Sequence, residues 1–232
     1  MKDVVAVGLD LKPETLISAY SQGVFPWPCE DMPLLWHCPL RRAVLFFDDL
    51  HVSKRLKQYL KKSPWTFTVN RAFDRVIAES AVRLNEGTWI TPEMKEAYGE
   101  LHRMGHVHSV EVWNGSELVG GLYGVYIGGY FAGESMFHRE DNASKAALLF
   151  LISLLKNAGK KWMDIQMLTP HMEALGACEI TRRKFLGMVA DSNQENEDHS
   201  AVHPFRSGNI RESYRFQDFS IRIENGSSSA KK

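Results

Sequence analysis

Three apolar strands joined by two tight turns, then one apolar helix and one further strand, fill Val107 to Leu168 and restrict what this chain can become. Val107 to Trp113 alternates apolar and polar residues, Asn114-Gly115 is a hairpin turn, and Leu118 to Ile127 is a second strand. Gly128-Gly129 turns the chain again into Tyr130 to Met136, completing an antiparallel meander. Ala143 to Asn157 is apolar, long enough for a buried helix, and is ended by Gly159; Trp162 to Leu168 then reads as another strand. Taken by periodicity alone, this order predicts an α+β fold.

The first hundred residues are richer in helix signals. Pro13 opens a short helix that closes at Gly23, Ser53 caps a helix over Lys54 to Lys62, and Thr91-Pro92 opens one that stops at Gly105. Asn70 is expected to cap a helix carrying Phe73, Val76, Ile77 and Ser80 on one face. The division that follows is a small α-rich N-terminal lobe over 1–50, a catalytic domain over 51–220, and a disordered tail over 221–232, where Ser and Lys leave almost nothing to bury.

Composition narrows the function. With 232 residues, 44% apolar and 24% charged, the chain has the make-up of a globular protein with one good core, or a core and a small lobe. Formal net charge is zero, so any attraction for nucleic acid must come from a local patch. Three irregularly spaced cysteines, Cys29, Cys38 and Cys178, do not make a disulfide framework and fit a reducing cytoplasm. The start has an early acid and no long apolar stretch, unlike a signal peptide, and no run is long enough to cross a membrane. His106-x-His108 and the Cys29, His37, Cys38 set lack zinc-ligand spacing, so no metal is expected.

Several side chains could carry chemistry. Asp164 and Gln166 lie two apart on a strand and so share one face, which is either solvated or part of a cleft. Glu134, in Gly133-Glu134-Ser135-Met136-Phe137, is either a surface acid or a carboxylate placed to attract a cation. Ser135 lacks an evident His–acid pair to activate it as a nucleophile. Lys54, Arg55, Lys57, Lys61 and Lys62 make a basic helix that is a solvated face by itself, and a phosphate-binding surface if the protein handles RNA. Trp27 and Trp89 are core residues or stacking platforms.

The strings Gly133-Glu134-Ser135-Met136-Phe137, Asn142-Ala143-Ser144-Lys145, Asp164-Ile165-Gln166 and Leu175-Gly176-Ala177-Cys178-Glu179-Ile180, in this order, resemble the leucyl/phenylalanyl-tRNA–protein transferases over roughly residues 6 to 186. The resemblance implies a GNAT-like (acetyltransferase-like) mixed sheet with flanking helices, in which neighbouring strands splay to form an acyl-transfer cleft. It implies that Leu, Phe or Met moves from charged tRNA to the N-terminal Arg or Lys of an acceptor protein, a degradation tag, in a monomer without cofactor. Asp164 and Gln166 take the catalytic role, and Glu134 with Trp89 the acceptor site. Trp27 and Trp89 flank the aminoacyl-adenosine, whose side-chain pocket falls on Leu122, Phe131, Leu148, Leu151, Leu155 and Met163. Leu122, Leu151 and Leu155 stand where the family pattern has Met, Phe and Phe, which bears on donor choice because one methylene in an apolar pocket is worth about 1–3 kcal/mol. The basic helix becomes the tRNA surface.

An amide is a very weak base, so Gln166 is not expected to remove a proton outright. An N-terminal amine has a pKa near ~7.7–8.0 and is partly neutral already, and the ester is activated, so alignment supplies most of the acceleration. The competing readings are an acyl-CoA-dependent N-acetyltransferase and a tRNA-binding module without catalysis. His138-Arg139-Glu140-Asp141-Asn142, acidic and without glycine, does not suit a pyrophosphate, and a binding module leaves Asp164, Gln166 and Glu134 without a task.

Overall fold

The computed structural model describes residues 2–29, 32–82, 88–197, 202–206 and 212–218. The tail expected to be disordered, 221–232, lies outside them. Near the N-terminus β1 (Val4–Val7), β2 (Phe25–Trp27) and β3 (Leu35–His37) form a small antiparallel sheet in the order β1-β3-β2, with α1 (Pro13–Ser21) between its first two strands in sequence.

The large sheet has eight strands: β4 (Arg41–Phe46), β5 (Thr66–Val69), β6 (Val107–Asn114), β7 (Glu117–Ile127), β8 (Tyr130–His138), β9 (Trp162–Gln166), β10 (Cys178–Thr181) and β11 (Tyr214–Arg215). Their order is β10-β4-β9-β8-β7-β6-β5-β11, antiparallel except where β8 meets β9. The chain passes between those parallel neighbours through α5 (Ala143–Asn157), because parallel strands need a crossover. The expected meander and helix are present. The expected small lobe gives up one strand, since β4 lies within 1–50 but pairs with β9 and the edge strand β10 in the large sheet. Gly128 and Gly129, at φ 61° and 79°, make the β7–β8 turn, which needs two left-handed residues.

Both faces of the sheet are covered, giving two cores. One holds α5 and α2 (Lys54–Lys62) against Val110, Val112, Leu122 and Phe131; the other holds α1, α3 (Phe73–Ser80), α4 (Pro92–Arg103) and Phe185 against Val107, Tyr123 and Val125. The alternation in β6 therefore does not mark a solvent face. Glu111 is fully buried and accepts hydrogen bonds from Ser109 Oγ, Thr68 Oγ1 and the Ala72 amide, which stands in for the missing water. Asn70 does not cap α3 as expected. It sits at φ 59° two residues before the N-cap position, Ala72, and accepts from the Ser109 amide at 3.0 Å, bracing β6 instead. Beyond β9 come α6 (Pro170–Glu173) and α7 (Arg182–Glu197), whose sparse apolar positions give little helical signal in the sequence. Among the described residues no helix is long and apolar enough to cross a membrane.

Candidate active site

The cleft forms where β8 and β9 part. The two strands share a single ladder position, Ala132 opposite Asp164. After it, β9 ends at Gln166 rather than running on to Leu168, because Gln166 adopts φ 62° and turns the backbone aside. A non-glycine residue held there costs of order 1–3 kcal/mol and persists only when its surroundings fix it. Here the Gln166 backbone N–H donates to Asp164 Oδ1 at 2.9 Å, and β9 bulges at Ile165, so that Asp164 and Gln166 face the consecutive residues Val44 and Ala43 of β4. The opened space is a pocket of about 300 Å³ lined by Gly133 to Met136 of β8 and by Met163, Ile165 and Met167 on and after β9.

Asp164 and Gln166 do share this end of the strand, and neither is solvated: they are 0% and 5% exposed. The burial of Asp164 is balanced by Arg42 of β4, itself 1% exposed, which donates from Nε to Oδ1 at 2.8 Å and from Nη2 to Oδ2 at 2.6 Å. Such a fork is the strongest protein ion-pair geometry. The guanidinium is further enclosed between the rings of Phe25 on β2 and Phe185 on α7, with centroids at 4.5 and 4.4 Å. Aspartate, arginine and two rings from opposite ends of the chain thus fix one carboxylate.

Glu134 faces the same array. Gln166 Nε2 donates to its Oε1 at 2.7 Å, Tyr20 Oη to Oε1 at 2.7 Å, and Tyr98 Oη to Oε2 at 3.3 Å, while the two phenols lie 2.5 Å apart. The amide of Gln166 is therefore oriented, with its nitrogen on Glu134 and its oxygen on the other side. Enclosure pushes the Glu134 carboxyl up to about 7; the hydrogen bond from Tyr20 opposes this, and the Asp164 charge adds to it. Burial likewise raises Tyr20 and Tyr98 well above the usual phenol range, so both stay protonated donors.

The structure brings Leu122, Phe131, Leu148 and Met163 to the pocket wall, beside Met136, Met167 and Met172. Leu151 and Leu155 are not in the wall; both are fully buried further along α5, within the core. Trp27 and Trp89 stack directly on each other, centroids 5.7 Å apart at 18°, leaving no slot between them for a base. On α2, Lys54, Arg55, Lys61 and Lys62 are exposed and Lys57 half-buried, and Ser53 caps the helix by accepting from the Leu56 amide. Among the described residues no three His, Cys, Asp or Glu side chains cluster as metal ligands.

Arg42, Tyr20 and Tyr98 are absent from the sequence reading. Arg42 directly precedes the apolar run Ala43-Val44-Leu45-Phe46 beside a second arginine, Arg41, and nothing local tells the buried one from the exposed one. Tyr20 and Tyr98 sit on inward helix faces that look like core, and only the tertiary fold turns their hydroxyls to Glu134.

An apolar pocket opening beside an oriented amide and two fixed carboxylates defines a cleft for a ligand with a hydrophobic group and a polar reacting end. The sequence relationships identify the class: the Leucyl/phenylalanyl-tRNA protein transferase family model matches residues 44–190, and the model of its N-terminal domain matches residues 9–40. The chain is 48% identical over 203 residues to the leucyl/phenylalanyl-tRNA–protein transferase of Shewanella sp. (strain MR-4), covering 87% of this chain and 86% of that protein. It is 50% identical over 190 residues to that of Shewanella baltica (strain OS155 / ATCC BAA-1091), covering 81% and 80%. The chain belongs to the leucyl/phenylalanyl-tRNA protein transferase family and is an aminoacyltransferase. Among solved structures, a functionally unknown conserved protein from Staphylococcus epidermidis ATCC 12228 is similar at a TM-score of 0.41 and 10% identity, over 77% of this chain and 68% of that one. That likeness is too slight to argue from.

Proposed function

We infer that the cleft aligns the ester of an aminoacyl-tRNA with the N-terminal amine of an acceptor protein. A Leu, Phe or Met side chain enters the pocket walled by Leu122, Phe131, Leu148 and Met163, which places its ester carbonyl at the mouth, beside Gln166. The amine nitrogen attacks that carbonyl carbon; the new C–N bond forms, the C–O bond to the ribose breaks, and the proton lost by the amine ends on the released ribose hydroxyl. Gln166 holds the amine through its amide oxygen, and Asp164, locked by Arg42, holds Gln166. Glu134, ionised above about pH 7, attracts the basic side chain of an acceptor that begins with Arg or Lys.

One observation carries this reading: at the opening of an apolar pocket Gln166 is held twice, its backbone N–H by Asp164 and its side-chain amide by Glu134. It makes catalysis a matter of positioning, which is what an activated ester and a partly neutral amine require. The terminal adenine stacks on an outer face of the Trp27–Trp89 pair, with Trp89 reaching the acceptor side as well, and α2 meets the tRNA phosphates. The parallel β8–α5–β9 crossover with its splayed strands is the feature that favours a GNAT-like core. Tagging of acceptors for degradation in the cytoplasm, by a monomer, completes the reading. The test is transfer of labelled Leu from charged tRNA to peptides beginning with Arg, Lys, Asp or Ala. Transfer to Arg and Lys alone is the expected result. Transfer to Asp would overturn the role given to Glu134, and turnover of acetyl-CoA in its place would overturn the reaction.

A further inference from the structure

A second depression lies beside the acyl pocket. It has a volume of about 460 Å³ and runs between the start of α2, carrying Arg55, and the start of α5, carrying Lys145. His171 lines both depressions, so the two lie side by side with this residue between them. Apart from Arg55, which belongs to the α2 face already placed against the tRNA, the residues of this outer part have no role above, and Lys145 closes the Asn142-Ala143-Ser144-Lys145 string without having been given a task.

Its chemistry is that of an anion site. Arg55 and Lys145 form no ion pair among the described residues, where the Lys145 ammonium donates to Asn142 Oδ1 at 3.4 Å. His171 Nε2 is buried with no hydrogen-bond partner among the described residues, an orphan that a bound acceptor would satisfy. Burial, followed by the charge of Lys145, holds His171 below its ordinary pKa. The wall contains one acid, Asp141. The neighbouring Glu140 is already committed, accepting from Trp65 Nε1 and Asn114 Nδ2, both at 2.9 Å. The first turn of α5 carries no acid and no side-chain cap, and it is pressed onto the sheet at Gly120, where a Cβ would come within 2.5 Å of Ala143. That close approach sets where Lys145 stands.

We propose that this groove holds the phosphodiesters of the unpaired nucleotides immediately before the terminal adenosine, with Lys145 and Arg55 as the cations and the unpartnered His171 Nε2 at the junction. The groove deepens the transferase reading and rests on it: it gives the RNA strand a route from the esterified end in the acyl pocket to the basic face of α2.

The experiment compares two donors, leucyl-tRNA and leucyl-adenosine, which has the ester but no phosphodiester, for the wild-type protein, Lys145→Ala, Lys145→Arg and Arg55→Ala. With leucyl-tRNA, Lys145→Ala is expected to lower kcat/KM about fivefold or more at low salt, and to flatten the log–log salt dependence by roughly 0.7–0.9 per cation removed. The loss with leucyl-adenosine should be several-fold smaller, and Lys145→Arg should recover most of the tRNA activity. Equal losses with both donors, or an unchanged salt slope, would overturn the groove. Anisotropy of a labelled uncharged oligonucleotide ending in CCA separates the groove from the reaction. Weaker binding by Lys145→Ala supports the groove even if the wild-type protein transfers nothing, in which case the transferase reading alone falls. Unweakened binding overturns it.

Discussion

On one side of the cleft the polar side chains hold one another in place. Asp164 is forked by Arg42, Gln166 is held at both its backbone and its amide, and Glu134 receives two phenols and that amide. The other side is walled by Leu122, Phe131 and Leu148 with the thioethers of Met136, Met163, Met167 and Met172, unbranched chains that fill irregular space and re-pack at little cost. The reacting end of the ligand therefore meets a rigid surface and its side chain an adaptable one. A pocket of this kind suits donors as different in shape as Leu and Phe, while the geometry of attack stays the same for both.

The rigid side should fail abruptly. Asp164→Ala leaves a buried guanidinium with Phe25 and Phe185 around it and no carboxylate, and breaking such a pair costs about 3–5 kcal/mol. Transfer should fall at least a hundredfold, and the urea midpoint should drop as well. Arg42→Lys, which keeps the charge but not the fork, should lose activity by more than it loses stability. Undiminished turnover by Asp164→Ala in its folded fraction would show that the array does not position the amine.

Glu134 comes next. Its carboxyl is raised to about 7, so the folded protein binds a proton there more tightly than the unfolded chain does. Its contribution to stability is most favourable below the ordinary carboxylate pKa and is lost as pH rises through about 7. Glu134→Gln should therefore raise Tm above pH 7 while weakening capture of Arg- and Lys-peptides about tenfold or more, consistent with loss of a charge-assisted contact. In the wild type, KM for an Arg-peptide should fall as pH rises through about 7; in the variant only the titration of the peptide amine should remain. A KM profile that keeps its shape in Glu134→Gln would remove the carboxylate from acceptor binding.

The two sides also differed in how well the sequence disclosed them. Asp164, Gln166 and Glu134 were legible because polar residues at the ends of apolar strands are costly unless something uses them. Tyr20, Tyr98 and Arg42 were not, since each lies in an apolar pattern whose tertiary partner is far along the chain, 114, 36 and 122 residues away. The meander and α5 followed from turns and periodicity. β4, β10 and β11 did not, because short strands at a sheet's far end carry too few residues for a pattern to stand out. Gln166's turn is hidden for another reason: its φ of 62° goes with the hydrogen bond to Asp164 and the bulge at Ile165, not with a glycine or a turn motif.

The adaptable side should respond gradually. Met163→Ala removes a wall side chain, and the ratio of Leu to Phe transfer should shift several-fold, the size that about 1–3 kcal/mol of pocket contact allows. The polar array is untouched, so the acceptor preference should stay as it is. A change in acceptor preference from this substitution would mean that the two sides are coupled.

The smallest effect distinguishes wall from core within α5. The family resemblance places Leu151 and Leu155 in the donor pocket, whereas here both are fully enclosed and only Leu148 of that helix reaches the wall. Leu151→Val deletes one methylene from a packed interior, which should cost about 1 kcal/mol of stability. It leaves the pocket surface as it was, so the Leu to Phe ratio should stay within about twofold of wild type, far less than Met163→Ala should produce. Competition between leucyl- and phenylalanyl-tRNA in one reaction measures the ratio directly, and thermal unfolding measures the stability. A selectivity change in Leu151→Val equal to that in Met163→Ala would mean that the pocket deepens into α5 when the donor binds, and that the adaptable side extends through the helix rather than stopping at its surface.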